Sequence, residues 1–139
     1  MSLLFTPYER RDVVAKNRVV ASPMCQYSSV GGAPGDWQMA VFGRYALGGA
    51  GIVFGEETAV TAEGRKTHDC AGLWSADQVP AYRPLTAFIR AQGAVPAIQI
   101  GHAGRKGSVH GARQGWVPMQ PVPAGRSVAG PALPDPGRG

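Results

Sequence analysis

The chain has 139 residues, about the length of one domain, and its 44% hydrophobic and 17% charged residues are typical of a protein that buries a core. Its net charge of +5 comes without a run of lysines or arginines interleaved with aromatic residues, so no nucleic-acid partner is predicted. The apolar stretch around residues 47–55 is far shorter than the roughly 20 residues of a membrane span, so no membrane partner is predicted either.

Three short apolar runs are predicted to be strands, and two segments with helical spacing lie between them. Short runs of this kind are typical of strands that are covered on both faces in a parallel sheet. The predicted strands are Arg18–Ser22, Gly51–Gly55 and Val95–Ile100, and the predicted helices are Asp36–Leu47 and Ser75–Gln92.

The starts of the two helices carry capping signals. Asp36 is a suitable N-cap for the first helix, and Ser75 with Gln78 has the spacing of a capping box for the second. Pro80 and Pro84 are unfavourable inside a helix, whereas proline is tolerated in a first turn. The regular part of the second helix is therefore expected to start only near Pro84.

The alternation of strands and helices predicts βαβ units and a parallel sheet. Open doubly wound sheets and eightfold barrels both have this order. A dinucleotide-binding sheet would carry G-x-G-x-x-G directly after its first strand, but here Ser-Pro-Met-Cys-Gln-Tyr follows at Ser22–Tyr27. The glycines at 48–51 precede the second strand, where a helix stop and a close packing turn explain them. The nucleotide-binding fold is therefore rejected.

The sequence changes character after residue 110. Residues 111–139 contain six glycines and six prolines, and no helical or strand period continues there. Such a composition buries too little apolar surface to offset the entropy of ordering the chain. We therefore predict one folded domain at 1–110, followed by a Gly/Pro-rich loop or disordered tail at 111–139.

Neither a disulfide framework nor a metal site is predicted. Cys25 and Cys70 are too few for the former and too far apart for a zinc knuckle, and the three histidines lie at no metal-ligand spacing. Acidic and basic residues at 9–11 argue against a secretory signal, which favours a soluble, cytoplasmic protein.

Polar side chains are expected to meet where the parallel strands end, because the loops after the carboxyl ends form one face on which ligands bind. The first loop offers the residues of Ser22–Tyr27, and the second offers Glu56 and Glu57. The third offers Gln99, His102, Arg105 and Lys106. This collection contains amide, phenol, thiol and imidazole groups but no Ser/His/Asp set. Taken singly, each of these signals is weak.

Taken together, five stretches in the correct order resemble the old yellow enzyme family of flavin-dependent ene-reductases, and in particular its subgroup with a cysteine in the first loop. The resemblance covers about residues 3–118. The matching stretches are Lys16–Ser28, Gly48–Val53, Thr58–Arg65, Gly72–Ser75 and Gln99–Lys106.

The resemblance implies a (β/α)8 barrel that holds FMN noncovalently at the carboxyl ends of its strands. NAD(P)H would reduce the flavin, which would then pass a hydride to an activated alkene, the expected small-molecule substrate. NADH and NADPH both remain open as reductants, and so does a homo-oligomeric state of the parent enzyme.

Residue by residue, the resemblance assigns Ser22, Pro23, Met24 and Cys25 to the loop that touches the flavin. Cys25 would tune the redox potential of the flavin through a weak S–H contact, and Tyr27 would reach the substrate, so these two are the expected catalytic residues. The cofactor supplies the hydride chemistry and the protein supplies orientation.

Two further positions on the expected flavin site are notable. Gln99 matches the glutamine that hydrogen-bonds the isoalloxazine ring. Glu57 occupies a cofactor-binding position at which the family usually has a small residue, and its carboxylate would oppose the negative charge of a reduced flavin unless it turns outward. The position after Trp37, often histidine in the family, is Gln38.

An eightfold barrel needs roughly 250 residues, whereas three strands are predicted here. The chain is therefore expected to be the first three βα units of an incomplete barrel, with two unpaired sheet edges and no activity on its own. The segment after Pro118, rich in arginine, proline and glycine, is hypothesised to be a product of a shifted reading frame. The alternative is a non-catalytic remnant that acts only by associating with a chain that completes the barrel.

Overall fold

A computed structural model describes residues 2–107, and the predicted tail at 111–139 lies outside the described residues. Five strands and two α-helices form this part of the chain, with one-turn 3-10 helices at Leu3–Phe5, Ala76–Gln78 and Gly104–Lys106. The strands are β1 (Tyr8–Arg10), β2 (Val13–Ala15), β3 (Val20–Ala21), β4 (Ile52–Ala59) and β5 (Val95–Gly101), and the helices are α1 (Asp36–Leu47) and α2 (Val79–Ala91). None of the helices in this part of the chain has the length and apolar character needed to cross a membrane.

The predicted parallel sheet is confirmed. Its strand order is β3-β4-β5, and both pairings are parallel, with Val20 opposite Ile52 and Ile52 opposite Val95. Helices α1 and α2 connect successive strands, so the chain forms two βαβ units and opens a third unit at β5. The α/β class and its barrel-type βα repeats are as the sequence predicted.

Helix α1 has the predicted bounds but a different cap. Asp36 is its first helical residue, and Gly35 before it is the N-cap. The Gly35 N–H donates to the Oε1 atom of Gln38, 2.9 Å away, so the capping acceptor comes from the third helical residue. The prediction of Asp36 as the cap was wrong by one position.

Helix α2 begins at Val79, not near Pro84 as expected. Ser75 and Gln78 do form the predicted capping box, but around the 3-10 turn that leads into α2. Pro80 lies at the second helical position, where its missing N–H is not needed. Pro84 lies inside the helix and removes one backbone hydrogen bond. Leu85 and Ile89, which follow it in the helix, are buried.

The hydrophobic core lies between the two helices and one face of the sheet. Its buried members are Val41, Phe42, Ala46, Ala50, Val53, Leu85, Ile89 and Ala94. The helices approach closely at Gly43, where an added Cβ would lie 3.0 Å from the Phe88 ring. This packing fixes the sheet face that the helices cover, called here the helix face, and leaves the opposite face open.

The antiparallel hairpin of β1 and β2 was not predicted. Its turn contains Arg11, a non-glycine residue with φ +50°, and lacks the glycine and asparagine that usually signal a hairpin turn. Lys16 follows β2, and its Nζ donates to the Gln92 carbonyl at 2.8 Å. The hairpin is thereby tied to the loop that precedes β5.

Candidate active site

Strand β4 extends beyond its predicted end at Gly55 and includes Glu56, Glu57 and Thr58, which were expected in a loop. The pairing with β5 shifts between Gly55 and Glu57, so a bulge interrupts the alternation of side chains. Val53 points to the helix face before the bulge, and Glu56 points there after it. Glu57 therefore takes the open face.

Glu56 is a buried carboxylate, with 2% of its surface exposed. Its Oε2 atom accepts the Gln26 N–H at 2.8 Å, and its Oε1 atom accepts from Nε2 of Gln38 at 3.1 Å. Gln38 also donates to the Ser29 hydroxyl at 3.1 Å. Burial raises the pKa of Glu56, and these hydrogen bonds act against that rise. Glu56 thus anchors the loop after β3 to α1.

The anchored loop carries five of the residues that the sequence assigned to the site. Ser22 and Met24 are exposed, whereas Pro23, Cys25 and Tyr27 are half-buried. The indole N–H of Trp37 donates to Oε1 of Gln26 at 3.0 Å, which adds a second tie to α1. Tyr27 has φ +52°, a left-handed conformation that is uncommon for a residue with a large side chain.

Cys25 and Tyr27 share one environment. Burial is the main cause that raises the pKa of the Cys25 thiol, and the nearby Lys66 ammonium acts in the opposite direction. The pKa of the Tyr27 phenol is also raised, first by burial and then by the Cys25 side chain. Both groups are therefore kept protonated to higher pH than they would be in water.

Lys66 is a site residue that the sequence did not indicate. It lies in the loop after β4, its Nζ is 3.6 Å from the Cys25 sulfur, and it forms an ion pair with Glu57. The hydrogen bond to Glu57 is the main cause that raises the pKa of Lys66. A positive charge is thus fixed between the thiol and the carboxylate.

The loop that carries Lys66 is well anchored. The neighbouring Arg65 donates to the carbonyls of Ala62 and His68, both at 2.9 Å, and its guanidinium stacks over the Trp74 ring. The Ala103 N–H donates to the Gly64 carbonyl at 2.8 Å, which joins this loop to the one after β5.

Gln99 lies opposite Glu57 in the β4–β5 register and is exposed on the open face. The Glu57 side chain crosses to β5 at Gly101, where an added Cβ would lie 2.8 Å from Oε1 of Glu57. Glycine at that position therefore leaves room for the carboxylate.

The predicted site residues meet at one edge of the sheet but do not all touch. Strand β4 lies between Gln99 on β5 and the Cys25 loop after β3. Because neighbouring strands are about 5 Å apart, Gln99 and this loop are separated by roughly 10 Å. The connection runs through Glu57 and Lys66. His102 is not part of the cluster, since its Nδ1 accepts the Gly104 N–H at 3.0 Å within a turn.

A separate cavity of about 230 Å³ opens on the helix face. It is mainly apolar, and its lining includes Phe42, Tyr82, Leu85, Ile89, Pro96 and Ile98. Because it lies on the opposite side of the sheet from Glu57 and Gln99, it is distinct from the predicted site.

Comparison with known proteins identifies the family. The sequence model of the NADH:flavin oxidoreductase / NADH oxidase family matches residues 3–130. The chain belongs to this family. NADPH dehydrogenases from Listeria welshimeri and Bacillus velezensis are 43% identical over 113 residues and 41% identical over 110 residues, matches that span 80% and 78% of this chain.

Solved structures of the same kind share the fold. The old yellow enzyme homologue from Zymomonas mobilis is 28% identical with a TM-score of 0.68, and 75% of this chain covers 29% of that chain. Morphinone reductase in complex with tetrahydroNAD is 26% identical with a TM-score of 0.69, and 77% of this chain covers 29% of that chain.

The family comparison confirms FMN as the family cofactor and a barrel built from βα units as the fold. The chain spans about one third of the length of the NADPH dehydrogenases that it matches, 33% and 32% for the two relatives. It therefore corresponds to the opening units of such a barrel.

Proposed function

We propose that this chain forms the first part of the flavin site of an FMN-dependent NAD(P)H oxidoreductase that reduces activated alkenes. The observation that carries the proposal is that Cys25 and Glu57 share the Lys66 ammonium at the carboxyl edge of the sheet. Tyr27 lies beside Cys25, and Gln99 lies opposite Glu57. The membership of the chain in a flavin oxidoreductase family supports the same reading. Cytoplasmic location and assembly of the parent enzyme into a homo-oligomer belong to this proposal as well.

The residues present are compatible with FMN. Gln99 offers an exposed amide that can both donate and accept hydrogen bonds, as a uracil-like ring edge requires. The carboxylate of Glu57 is paired with Lys66, so it does not add an uncompensated negative charge beside the ring. The expected conflict between Glu57 and a reduced flavin is thereby reduced.

When bound, FMN supplies the hydride chemistry. The residues of this chain orient and bind. Cys25 presents a neutral thiol that donates weakly, because burial raises its pKa, and Ser22, Pro23 and Met24 would flank it along the ring. Tyr27 keeps its phenol proton and would donate it in a hydrogen bond to the substrate. Glu56 positions both side chains through the Gln26 N–H.

The function can be tested in a chimera. Residues 3–107 replace the matching segment of the Listeria welshimeri NADPH dehydrogenase, and Gln99→Leu is made in the chimera. We expect the chimera to carry FMN, to oxidise NADPH with an activated alkene, and to bind FMN more weakly when Gln99 is replaced. A folded chimera without flavin absorption would contradict the proposal.

The 139-residue chain by itself is expected to bind FMN weakly and to show no turnover. Flavin fluorescence quenching measures the binding, and NADPH oxidation measures the turnover. A purified chain that is yellow and active would contradict this expectation.

A second function is favoured by the edges of the sheet. Among the described residues, β3 and β5 each pair with a single strand, and Val20 and Ile100 are 47% and 68% exposed. The chain would then act by binding a second chain that completes the barrel. Co-expression with the remaining two thirds of a relative, followed by isolation of a flavin-containing complex, tests this alternative, and failure to form a complex would count against it.

A further inference from the structure

The Lys66–Glu57 pair is placed where it acts on Cys25. Lys66 contacts the sulfur at 3.6 Å with the same ammonium that pairs with Glu57. The pair lies on the open face, while the buried Glu56 lies on the helix face. The Lys66 ammonium therefore lies on the open face of the sheet, together with Glu57.

The ammonium is held in place from both directions. Arg65, its neighbour in sequence, is fixed by two carbonyl groups and by the Trp74 ring. The Glu57 carboxylate holds the end of the side chain, and the absence of a Cβ at Gly101 leaves room for that carboxylate. Contacts within the chain therefore restrict the conformations of the Lys66 side chain before any ligand binds.

We propose that Lys66, positioned by Glu57, acts as a fixed cation on Cys25 and sets how readily this thiol is deprotonated and how strongly it donates. The proposal deepens the proposed function, because Cys25 is the residue expected beside the flavin. Lys66 and Glu57 are positioning residues in this scheme.

Several groups face Cys25 from the neighbouring elements, and their effects have opposite signs. The Lys66 ammonium favours the thiolate, whereas burial and the remaining groups favour the thiol. Those remaining groups are Glu56 and Glu57 on β4 and Cys70 in the following loop. The Tyr27 phenol also faces Cys25 from the same loop, and the Cys25 side chain raises the pKa of Tyr27. Removal of Lys66 therefore takes away the cation that favours the Cys25 thiolate and leaves burial, Cys70, Glu56 and Glu57 to oppose it.

The test measures the alkylation rate of Cys25 in the 139-residue chain as a function of pH, with iodoacetamide as the probe and mass spectrometry to separate the two cysteines. Lys66→Met removes the ammonium and keeps an apolar stem of similar length. We expect alkylation of Cys25 at about pH 7.5 to slow by about tenfold, because loss of the ammonium lowers the fraction of the reactive thiolate. Lys66→Arg keeps the cation and should restore the wild-type profile.

Glu57→Gln in the Lys66→Met background separates the two members of the pair. Without Lys66, the Glu57 carboxylate opposes the thiolate, so the double variant should react faster than Lys66→Met. Equal rates for the double variant and Lys66→Met would overturn the role given to Glu57.

Cys70 serves as an internal control because it is buried and contacts the Thr67 N–H at 3.4 Å. It should remain slow in every variant. Unchanged or faster alkylation of Cys25 in Lys66→Met, with Cys70 still slow, would overturn the proposal. A loop that merely opened would expose both thiols, so slow alkylation of Cys70 excludes that explanation of a change at Cys25. An FMN titration of the wild-type chain and the chimera tests the proposed function separately, and failure there would leave the thiol result standing.

Discussion

The two faces of β4 place adjacent glutamates in opposite environments. Glu56 is buried on the helix face and is satisfied by neutral donors from Gln26 and Gln38. Glu57 lies on the open face and is satisfied by the Lys66 ammonium. Two glutamates therefore have different roles: Glu56 holds a loop in place on the helix face, and Glu57 pairs with the charge of Lys66 on the open face.

The largest difference between the two faces should appear in stability. Glu56→Ala removes the acceptor of the Gln26 N–H and one of the two acceptors of the Gln38 amide, at about 1–3 kcal/mol for each donor left unsatisfied. Glu57→Ala breaks a partly exposed ion pair and should cost less than about 1 kcal/mol. Urea unfolding of both variants measures the free energies, with Glu63→Ala as an exposed control. Equal losses at positions 56 and 57 would contradict the comparison.

A second contrast concerns the loop that Glu56 anchors. A left-handed conformation costs a residue with a side chain about 1–2 kcal/mol, less for asparagine and more for a β-branched residue. Tyr27→Val should therefore be about 1 kcal/mol less stable than Tyr27→Asn, because both lose the phenol and differ in backbone preference. Urea midpoints measure the difference, and Tyr45→Val on α1 provides a helical reference. A more stable valine variant would refute the assigned backbone conformation.

The sequence predicted the sheet, both helices and the edge at which the polar residues gather, because these depend on hydrophobic period and chain order. It did not predict that β4 continues through Glu56 and Glu57, since two consecutive glutamates after a glycine are typical of a loop. The bulge after Gly55 reverses that expectation by sending Glu56 into a cluster with Gln38. A tertiary contact therefore decided the boundary.

Lys66 carried no signal that sequence reasoning could detect. Its pairing with Glu57 depends on the loop between them, and the stacking of Arg65 on Trp74, which belong to two separate matching stretches, holds that loop in place. Gln38 gives the opposite case. Noted as a departure from the family pattern, it proves to bind Glu56 and to cap α1.

The buried Glu56 should also affect the pH dependence of stability. Burial raises the pKa of Glu56 above its ordinary value of 4.5, so the folded state holds this proton more tightly than the unfolded state. The stabilisation that comes from this tighter proton binding is fully present below the pKa of Glu56 in the unfolded state. It is lost as the pH rises through the pKa of Glu56 in the folded state. The urea midpoint should fall over that window in wild type, and Glu56→Gln should remove this part of the slope. Glu63→Gln, at an exposed position, is the control, and the same flattening there would contradict the assignment.

The smallest effect on stability is expected at the edge of the sheet. Ile100 on β5 is 68% exposed, so Ile100→Lys should change the free energy of unfolding by no more than about 0.5 kcal/mol. A lysine on an exposed strand opposes edge-to-edge pairing, and it should reduce self-association of the chain. Sedimentation velocity over a concentration series measures that change, with Arg90→Lys on α2 as a control that keeps the charge. Reduced association without loss of stability would show that the unpaired edge of β5 binds other chains and that Ile100 does not stabilise the sheet itself. A large loss of stability would show instead that Ile100 already packs within the chain.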